Sequence, residues 1–288
     1  MMNIYDKKMA DWVEKHPYLK NIADFQNALA VRCREELFKE EQNGDHTMFD
    51  WDFAVRELKR GIPALRAGVM TDEMVEQVGR IFMKISDLMI DFGFSDEMRY
   101  QARKMQVFFF DNRDILHEYI QEILRGDELT AAEFVSVHRG IVTFLIWNTL
   151  EFVLEPLKMR MGHSLAEVGW NRTYCPVCGQ LPSMAQIAQE SNEEARILVC
   201  GCCKMQWTYR RNHCPFCQSA NDQKLKIITL ADESEFCIEI CDQCQGYLKT
   251  YTHSGVEHIA LNDWSTLHLD MIAKNNGYKR IGYQLYEV

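Results

Sequence analysis

The spacing of apolar positions divides the chain near residue 165. Before that point it follows a helical period. Phe134, Val137, Ile141, Phe144 and Leu145 recur at steps of three and four, and Ile146 and Trp147 widen the stripe. Thr130-Ala131-Ala132-Glu133 reads as a capping box ahead of this helix, which the width of the stripe places centrally in a bundle. Thr71 before Asp72-Glu73 and Ser95 before Asp96-Glu97 mark two further helix starts. Gly61 and Pro63 close a helix containing Trp51–Leu58. Methionines and phenylalanines at these positions are core residues before anything else.

The pattern changes near residues 162–169. Beyond it, short β-prone segments cover Arg196–Val199, Met205–Tyr209, Lys224–Leu230 and Phe236–Ile240, and Trp264–Lys274 forms a last amphipathic helix. The expected fold is α+β: an all-helical N-terminal domain, two small rubredoxin-like or zinc-ribbon metal modules, and a C-terminal helix. The expected divisions are 1–165, 166–211 and 212–288, the last including the helix. Modules of about 40 to 70 residues hold small cores, so bound metal should supply folding energy.

What interrupts the β-prone segments carries the chemistry. Four Cys-x-x-Cys pairs, Cys175/Cys178, Cys200/Cys203, Cys214/Cys217 and Cys241/Cys244, are separated in turn by 21, 10 and 23 residues. Two residues between thiols let both sulfurs of a tight turn face one ion, and two such turns complete a tetrahedral S4 site. The long–short–long rhythm pairs the first turn with the second and the third with the fourth. Two S4 ions result, iron or zinc, since both accept this geometry. Cys202, inside Cys200-Gly201-Cys202-Cys203, is an alternative ligand to its neighbours. Cys33 and Cys237 read as small buried apolar residues.

Gly179 after Cys178 suits the positive φ of a metal-binding turn, whereas Lys204, Gln218 and Gln245 hold the equivalent places. On sequence, the four turns are therefore not expected to share one geometry. Cys175-Pro176-Val177-Cys178 and Cys214-Pro215-Phe216-Cys217 resemble thiol–disulfide centres. Each, however, leads into more strand-like sequence and a second pair, instead of the helix such a centre uses. No nucleophile triad, phosphate loop or His-x-x-Glu-His pattern is present, which favours a binding protein over an enzyme.

Composition narrows the setting. With 47% hydrophobic and 26% charged residues the chain is expected to be globular. The longest apolar stretch, 134–157, is interrupted by His138, Arg139, Asn148, Glu151 and Glu155, so no membrane insertion is expected. A polar N-terminus without an apolar leader core points to the cytoplasm, where thiols stay reduced and bind metal. The net charge of −10 argues against nucleic acid as the partner. Lys204, Arg210, Arg211, Lys224 and Lys226, with Trp207 and Tyr209 between them, read as a solvated strand face over packed aromatics. His213 and His253 read as neighbours of the sites, not ligands.

The residues around the cysteines resemble one family. Tyr174 to Pro182 (YCPVCGQLP), Leu198 to Arg210 (LVCGCCKMQWTYR), Cys214 to Cys217 (CPFC), Cys241 to Lys249 (CDQCQGYLK) and Asp263 to Asp270 (DWSTLHLD) are similar to the formate dehydrogenase accessory protein FdhE. The resemblance implies a helical N-terminal domain followed by two rubredoxin-like modules, with the eight paired cysteines as ligands. It also implies a non-catalytic cytoplasmic role in maturing respiratory formate dehydrogenase, by binding its catalytic subunit before export. A redox role for iron at the S4 sites is the second reading, and a zinc-ribbon nucleic-acid binder the third.

Overall fold

The structure is a computed structural model, which describes residues 4–42, 50–92, 95–126, 139–190, 193–253 and 259–282. The chain forms two compact units, one of Tyr18–Met161 and one of Met1–Pro17 with Gly162–Val288.

The first of these is helical. It comprises α2 (Lys20–Gln42), α3 (Trp51–Lys59), α4 (Asp72–Phe92), α5 (Asp96–Asp111), α6 (Arg113–Arg125), α7 (Arg139–Val153) and the start of α8 (Glu155–Val168). The expected helix boundaries rest on visible caps. Ser95 accepts from Met98 N at 3.1 Å, Thr71 from Met74 N at 3.3 Å, and Asp50 from Phe53 N at 2.9 Å. The helix containing Trp51–Leu58 ends before Gly61, which takes φ 81°. The Thr130–Glu133 capping box lies outside the described residues.

Helix α4 packs against α2, α5, α6 and α7, burying Val78, Ile81, Phe82 and Ile85. Helix α7 packs on α4 and α2 and is buried on most of its surface, as its wide apolar stripe requires. No single helix among the described residues is long and apolar enough to cross a membrane.

The second unit contains α1 (Ile4–Lys15), α9 (Leu267–Asn275) and one six-stranded sheet. Its strands are β1 (Pro182–Glu190), β2 (Glu193–Cys200), β3 (Gln206–Tyr209), β4 (Leu225–Thr229), β5 (Phe236–Cys241) and β6 (Gly246–Tyr251), in spatial order β3-β2-β1-β6-β5-β4. The same string of elements occurs twice: a cysteine turn, two antiparallel strands, a second cysteine turn, and a third antiparallel strand. The two copies join where β1 runs parallel to β6, with Ala185 opposite Thr250. One sheet therefore runs through both cysteine-bearing segments.

Strands β2 to β5 coincide with the β-prone segments of the sequence. Strands β1 and β6, the central pair, do not announce themselves. β1 opens on proline and is rich in alanine and glutamine, residues without strong strand preference. β6 is buried at every position and carries Lys249 in its middle, so neither alternation nor a continuous apolar run marks it.

Two buried ionic groups hold this centre. Arg196 on β2, 2% exposed, donates to Glu239 Oε2 on β5 at 2.7 Å and to the carbonyls of Arg210 and His213. Thr250 on β6 donates to the other Glu239 oxygen at 3.0 Å. The repeats are thus tied by a side-chain bridge across the strands that join them, beyond the β1–β6 ladder alone. The other group is centred on Lys249. Its ammonium reaches Asp263 Oδ1 at 2.6 Å and Asp270 Oδ2 at 2.8 Å, and Arg280 pairs with both carboxylates at 2.7 and 3.1 Å.

Candidate metal centres

Each cysteine turn is built in the same way. The residue after the second cysteine has positive φ at all four: Gly179 at 75°, Lys204 at 60°, Gln218 at 61° and Gln245 at 57°. Three non-glycine residues accept the left-handed conformation, so the expectation of dissimilar turns is corrected. At Gln218 and Gln245 the physical reason lies in the closing hydrogen bonds, as at Gly179. Gly179, Gln218 and Gln245 N–H donate to the carbonyls of Cys175, Cys214 and Cys241 at 2.9, 3.0 and 2.8 Å. The backbone N–H two residues after the first cysteine donates to its sulfur: Val177 to Cys175 at 3.3 Å, Cys202 to Cys200 at 3.4 Å, and Phe216 to Cys214 at 3.4 Å. Such N–H···S bonds favour thiolate, the form that binds metal.

The left-handed backbone gives a direct test of this geometry. A side chain in that region costs about 1–2 kcal/mol, partly offset in glycine by its greater loss of chain entropy. Gln218→Gly is therefore expected to raise the stability of the metal-loaded protein by about 0.5–1 kcal/mol, and Gly179→Ala to lower it by about 1–2 kcal/mol. Thermal unfolding at fixed metal measures both. Equal melting temperatures for the two variants would show that the turns are not held in this conformation in solution.

The four turns converge in two groups, Cys175 with Cys178, Cys200 and Cys203, and Cys214 with Cys217, Cys241 and Cys244. In the first, sulfurs lie 3.6 Å (Cys175–Cys203), 3.4 Å (Cys178–Cys200) and 3.6 Å (Cys178–Cys203) apart. In the second, Cys214–Cys244 and Cys217–Cys241 are each 3.7 Å apart. A disulfide would bring two sulfurs to about 2.05 Å. A tetrahedral ion with metal–sulfur bonds of about 2.3 Å sets sulfurs about 3.8 Å apart, and both groups are close to that size. The donor set and spacing fit one S4 ion each, which the eight paired cysteines could hold.

The electrostatics agree. Burial pushes the Cys175 and Cys178 thiols well above the usual range. Burial also opposes ionisation of Cys200. Hydrogen bonds from the neighbouring thiols and from Cys202 N–H nevertheless hold it well below that range. One thiolate is thereby favoured and further ones repelled, so full ionisation of four enclosed sulfurs requires a cation among them. At the second site, burial pushes Cys244 to about 11, while Cys241 is lowered against its burial by backbone and thiol donors. The sites also differ in exposure. All four cysteines of the first are buried, whereas Cys217 and Cys244 of the second are half-buried. A groove of about 320 Å³ beside the second site is lined by Arg196, Arg211, His213, Phe216, Cys237 and Glu239.

The remaining cysteines stand apart. Cys202 is buried beside the first site but is not among the four converging sulfurs. Burial pushes Cys33 and Cys237 up to about 12, which leaves both as inert thiols. Trp207 and Tyr209 are buried beneath the basic stretch, where Arg211 pairs with Glu194 and Lys226 with Asp242 at 2.7 Å. Two of those cations are locally paired, which leaves a weaker positive surface than the sequence shows.

The Lys249–Asp263–Asp270–Arg280 group was not legible in the sequence, because β6 is not marked as a strand there and Asp263 lies in a short 3-10 turn ahead of α9, which carries Asp270.

Comparison with known proteins places the site in a family context. Residues 174–211 match the family model described as FdhE, central domain, and residues 212–286 the one described as FdhE, C-terminal domain. FdhE proteins of Escherichia coli and Shigella boydii are each 32% identical over 157 residues, 53% of this chain and 50% of theirs. The chain thus spans about half the length of the curated relatives it matches. The crystal structure of the FdhE protein from Pseudomonas aeruginosa overlays with a TM-score of 0.58 at 20% identity. That overlay covers 97% of this chain and 92% of that one, a likeness of fold.

Proposed function

We propose, because residues 174–286 match the FdhE central and C-terminal family models, that this chain is a non-catalytic accessory protein for the maturation of formate dehydrogenase, acting in the cytoplasm. On this reading it binds the enzyme's catalytic subunit through the surface that its two S4 ions hold in shape. The observation that carries the reading is the pair of S4-sized cysteine groups set on one continuous sheet within the family-matched residues. Cys175, Cys178, Cys200 and Cys203 hold one ion, and Cys214, Cys217, Cys241 and Cys244 the other, each iron or zinc. Closed four-thiolate coordination leaves no open position for substrate, which favours a structural use of the ions.

The half-buried Cys217 and Cys244 favour a second reading, in which the second ion is iron and exchanges electrons with the partner. Partial exposure is among the features that tune the potential of iron–sulfur centres.

Anaerobic purification of the tagged chain from cells respiring formate tests both readings together, with metals and co-purifying proteins measured in one sample. The expected result is a formate dehydrogenase catalytic subunit retained with a chain that holds both ions. A fully loaded chain that retains no such subunit would overturn the proposal. Zinc alone at the second site would remove the electron-transfer reading.

A further inference from the structure

Three side chains from distant parts of the chain meet outside both sulfur groups. His16 directly follows α1, Glu233 lies between β4 and β5, and His268 sits in the first turn of α9. One ligand atom from each lies within 4.8 Å of the other two. Glu233 Oε1 is 3.4 Å from His16 Nε2, and Glu233 Oε2 is 2.8 Å from His268 Nε2. The two imidazole rings stack at 4.9 Å between centroids with 18° between their planes.

An ordinary histidine–carboxylate pair needs one imidazole. Here two approach the same carboxylate side by side through the same ring nitrogen. Were both protonated, two positive rings would be stacked face to face. A metal ion resolves that arrangement, because neutral imidazoles can both direct lone pairs at it. Around a tetrahedral ion with bonds of about 2.0–2.1 Å, nitrogen and oxygen ligands sit about 3.3–3.4 Å apart. The two carboxylate contacts, at 3.4 and 2.8 Å, bracket that spacing, and binding would splay the stacked rings so that both Nε2 lone pairs aim at one point.

The surroundings suit a held but accessible ion. His16 is 7% exposed and lies 4.5 Å from the Trp12 ring. Trp12 is itself fixed by its indole N–H donating to Ser265 O at 3.0 Å and by an edge contact to Phe236. Glu233 and His268 keep 19% of their side chains exposed, which leaves a side open for entry and for a water as fourth ligand. His268 Nδ1 has no hydrogen-bond partner among the described residues. Nothing there fixes the tautomer, so affinity should fall below that of the thiolate sites.

We propose that His16, Glu233 and His268 form a third metal site, of two-histidine, one-carboxylate type, which takes a borderline divalent transition ion such as zinc. Imidazole and carboxylate donors select this class over calcium or magnesium, and the absence of thiolate separates it from the S4 sites. Its ligands come from the end of α1, the β4–β5 connection and α9. The ion would therefore fasten the start of the chain to the strand connection and the last helix.

Calorimetric titration of the full chain with zinc, after its thiolate sites have been saturated, tests the site. One additional equivalent is expected, weaker than the thiolate-bound metal. Glu233→Gln and His268→Gln should each weaken that step about 100-fold, at or beyond the upper end of the effect of losing a partner that merely orients a metal ligand. Both variants should keep their thiolate-bound metal and circular dichroism spectrum, which checks folding independently, and either folded variant decides the question. No additional equivalent in the parent chain, or an additional equivalent that binds equally well in the folded variants, would overturn the proposal.

Discussion

Cys175→Ser should reduce thiolate-bound metal from two ions to one and destabilise the sheet-bearing unit beyond the first cysteine group. Cys175 and its three partners are all buried, and their sulfurs sit 3.4–3.6 Å apart where measured, so one hydroxyl in their place removes a strong ligand and opens the cage. Structural S4 sites bind with an apparent free energy of about 10–16 kcal/mol, comparable to the whole stability of an ordinary domain at about 5–15 kcal/mol. A loss of about 4 kcal/mol or more is expected, lowering the melting temperature by on the order of 10 °C.

The continuous sheet predicts where that loss travels. Met184, Ala185 and Gln186 of β1 pair with Lys249, Thr250 and Tyr251 of β6, so loosening the first repeat should speed amide exchange in the second. Metal content and amide exchange measured together separate the possibilities. Retention of both ions with unchanged stability would remove Cys175 from the ligand set. Loss of one ion with β6 exchange unchanged would mean that the repeats behave as independent modules.

That coupling was the part of the fold that the sequence concealed. The cysteine pairs were legible because metal ligation demands fixed residue types at fixed spacing, and β2 to β5 because their apolar residues alternate or cluster. The caps at Thr71 and Ser95 were legible because the capping hydrogen bond needs a short side-chain oxygen at the helix start. The parallel β1–β6 joint was not, because β1 is built from alanine and glutamine and β6 hides a lysine. Their burial comes from neighbours on both sides, which no local pattern encodes. The common geometry of the turns was hidden for a related reason. Glycine signals a left-handed residue, but Gln218 and Gln245 are held there by the closing hydrogen bonds of their turns, and Lys204 takes the same conformation, without a marker in the residue itself. The charge pattern of the basic stretch was visible, whereas its pairing with Glu194 and Asp242 needed the strands placed side by side.

The hidden lysine leads to the second large effect. Lys249→Ala should destabilise the protein by about 3–5 kcal/mol, the usual cost of leaving buried charge without its partner. Lys249 has no exposed surface, and Asp263 and Asp270 are 1% and 2% exposed. Without the ammonium, both carboxylates must share Arg280, with Lys204 acting on Asp263 from further off, and the carbonyls of Asp263 and Thr266 lose a donor at 3.0 and 3.4 Å. Tyr247 would still donate to Asp270 Oδ1 at 2.6 Å, which lessens the cost on that side. The acid limb carries a sharper signature. Burial alone would raise the Asp263 carboxyl, but Lys249 and Arg280 together hold it well below the usual carboxylate range. A carboxyl with a depressed folded-state pKa contributes its full stability above its unfolded value of about 3.9, and loses it as pH falls through the folded value. The parent chain should therefore keep this contribution down to about pH 4 and lose it progressively below. In Lys249→Ala the main neutralising charge is gone, so the Asp263 pKa rises and the acid limb should move toward neutral pH by about one unit or more. Denaturant unfolding between pH 3 and pH 7 measures both effects. Coincident acid limbs for the two proteins, with a difference below about 1 kcal/mol at neutral pH, would show that the lysine's charge is not what holds the strand to the last helix.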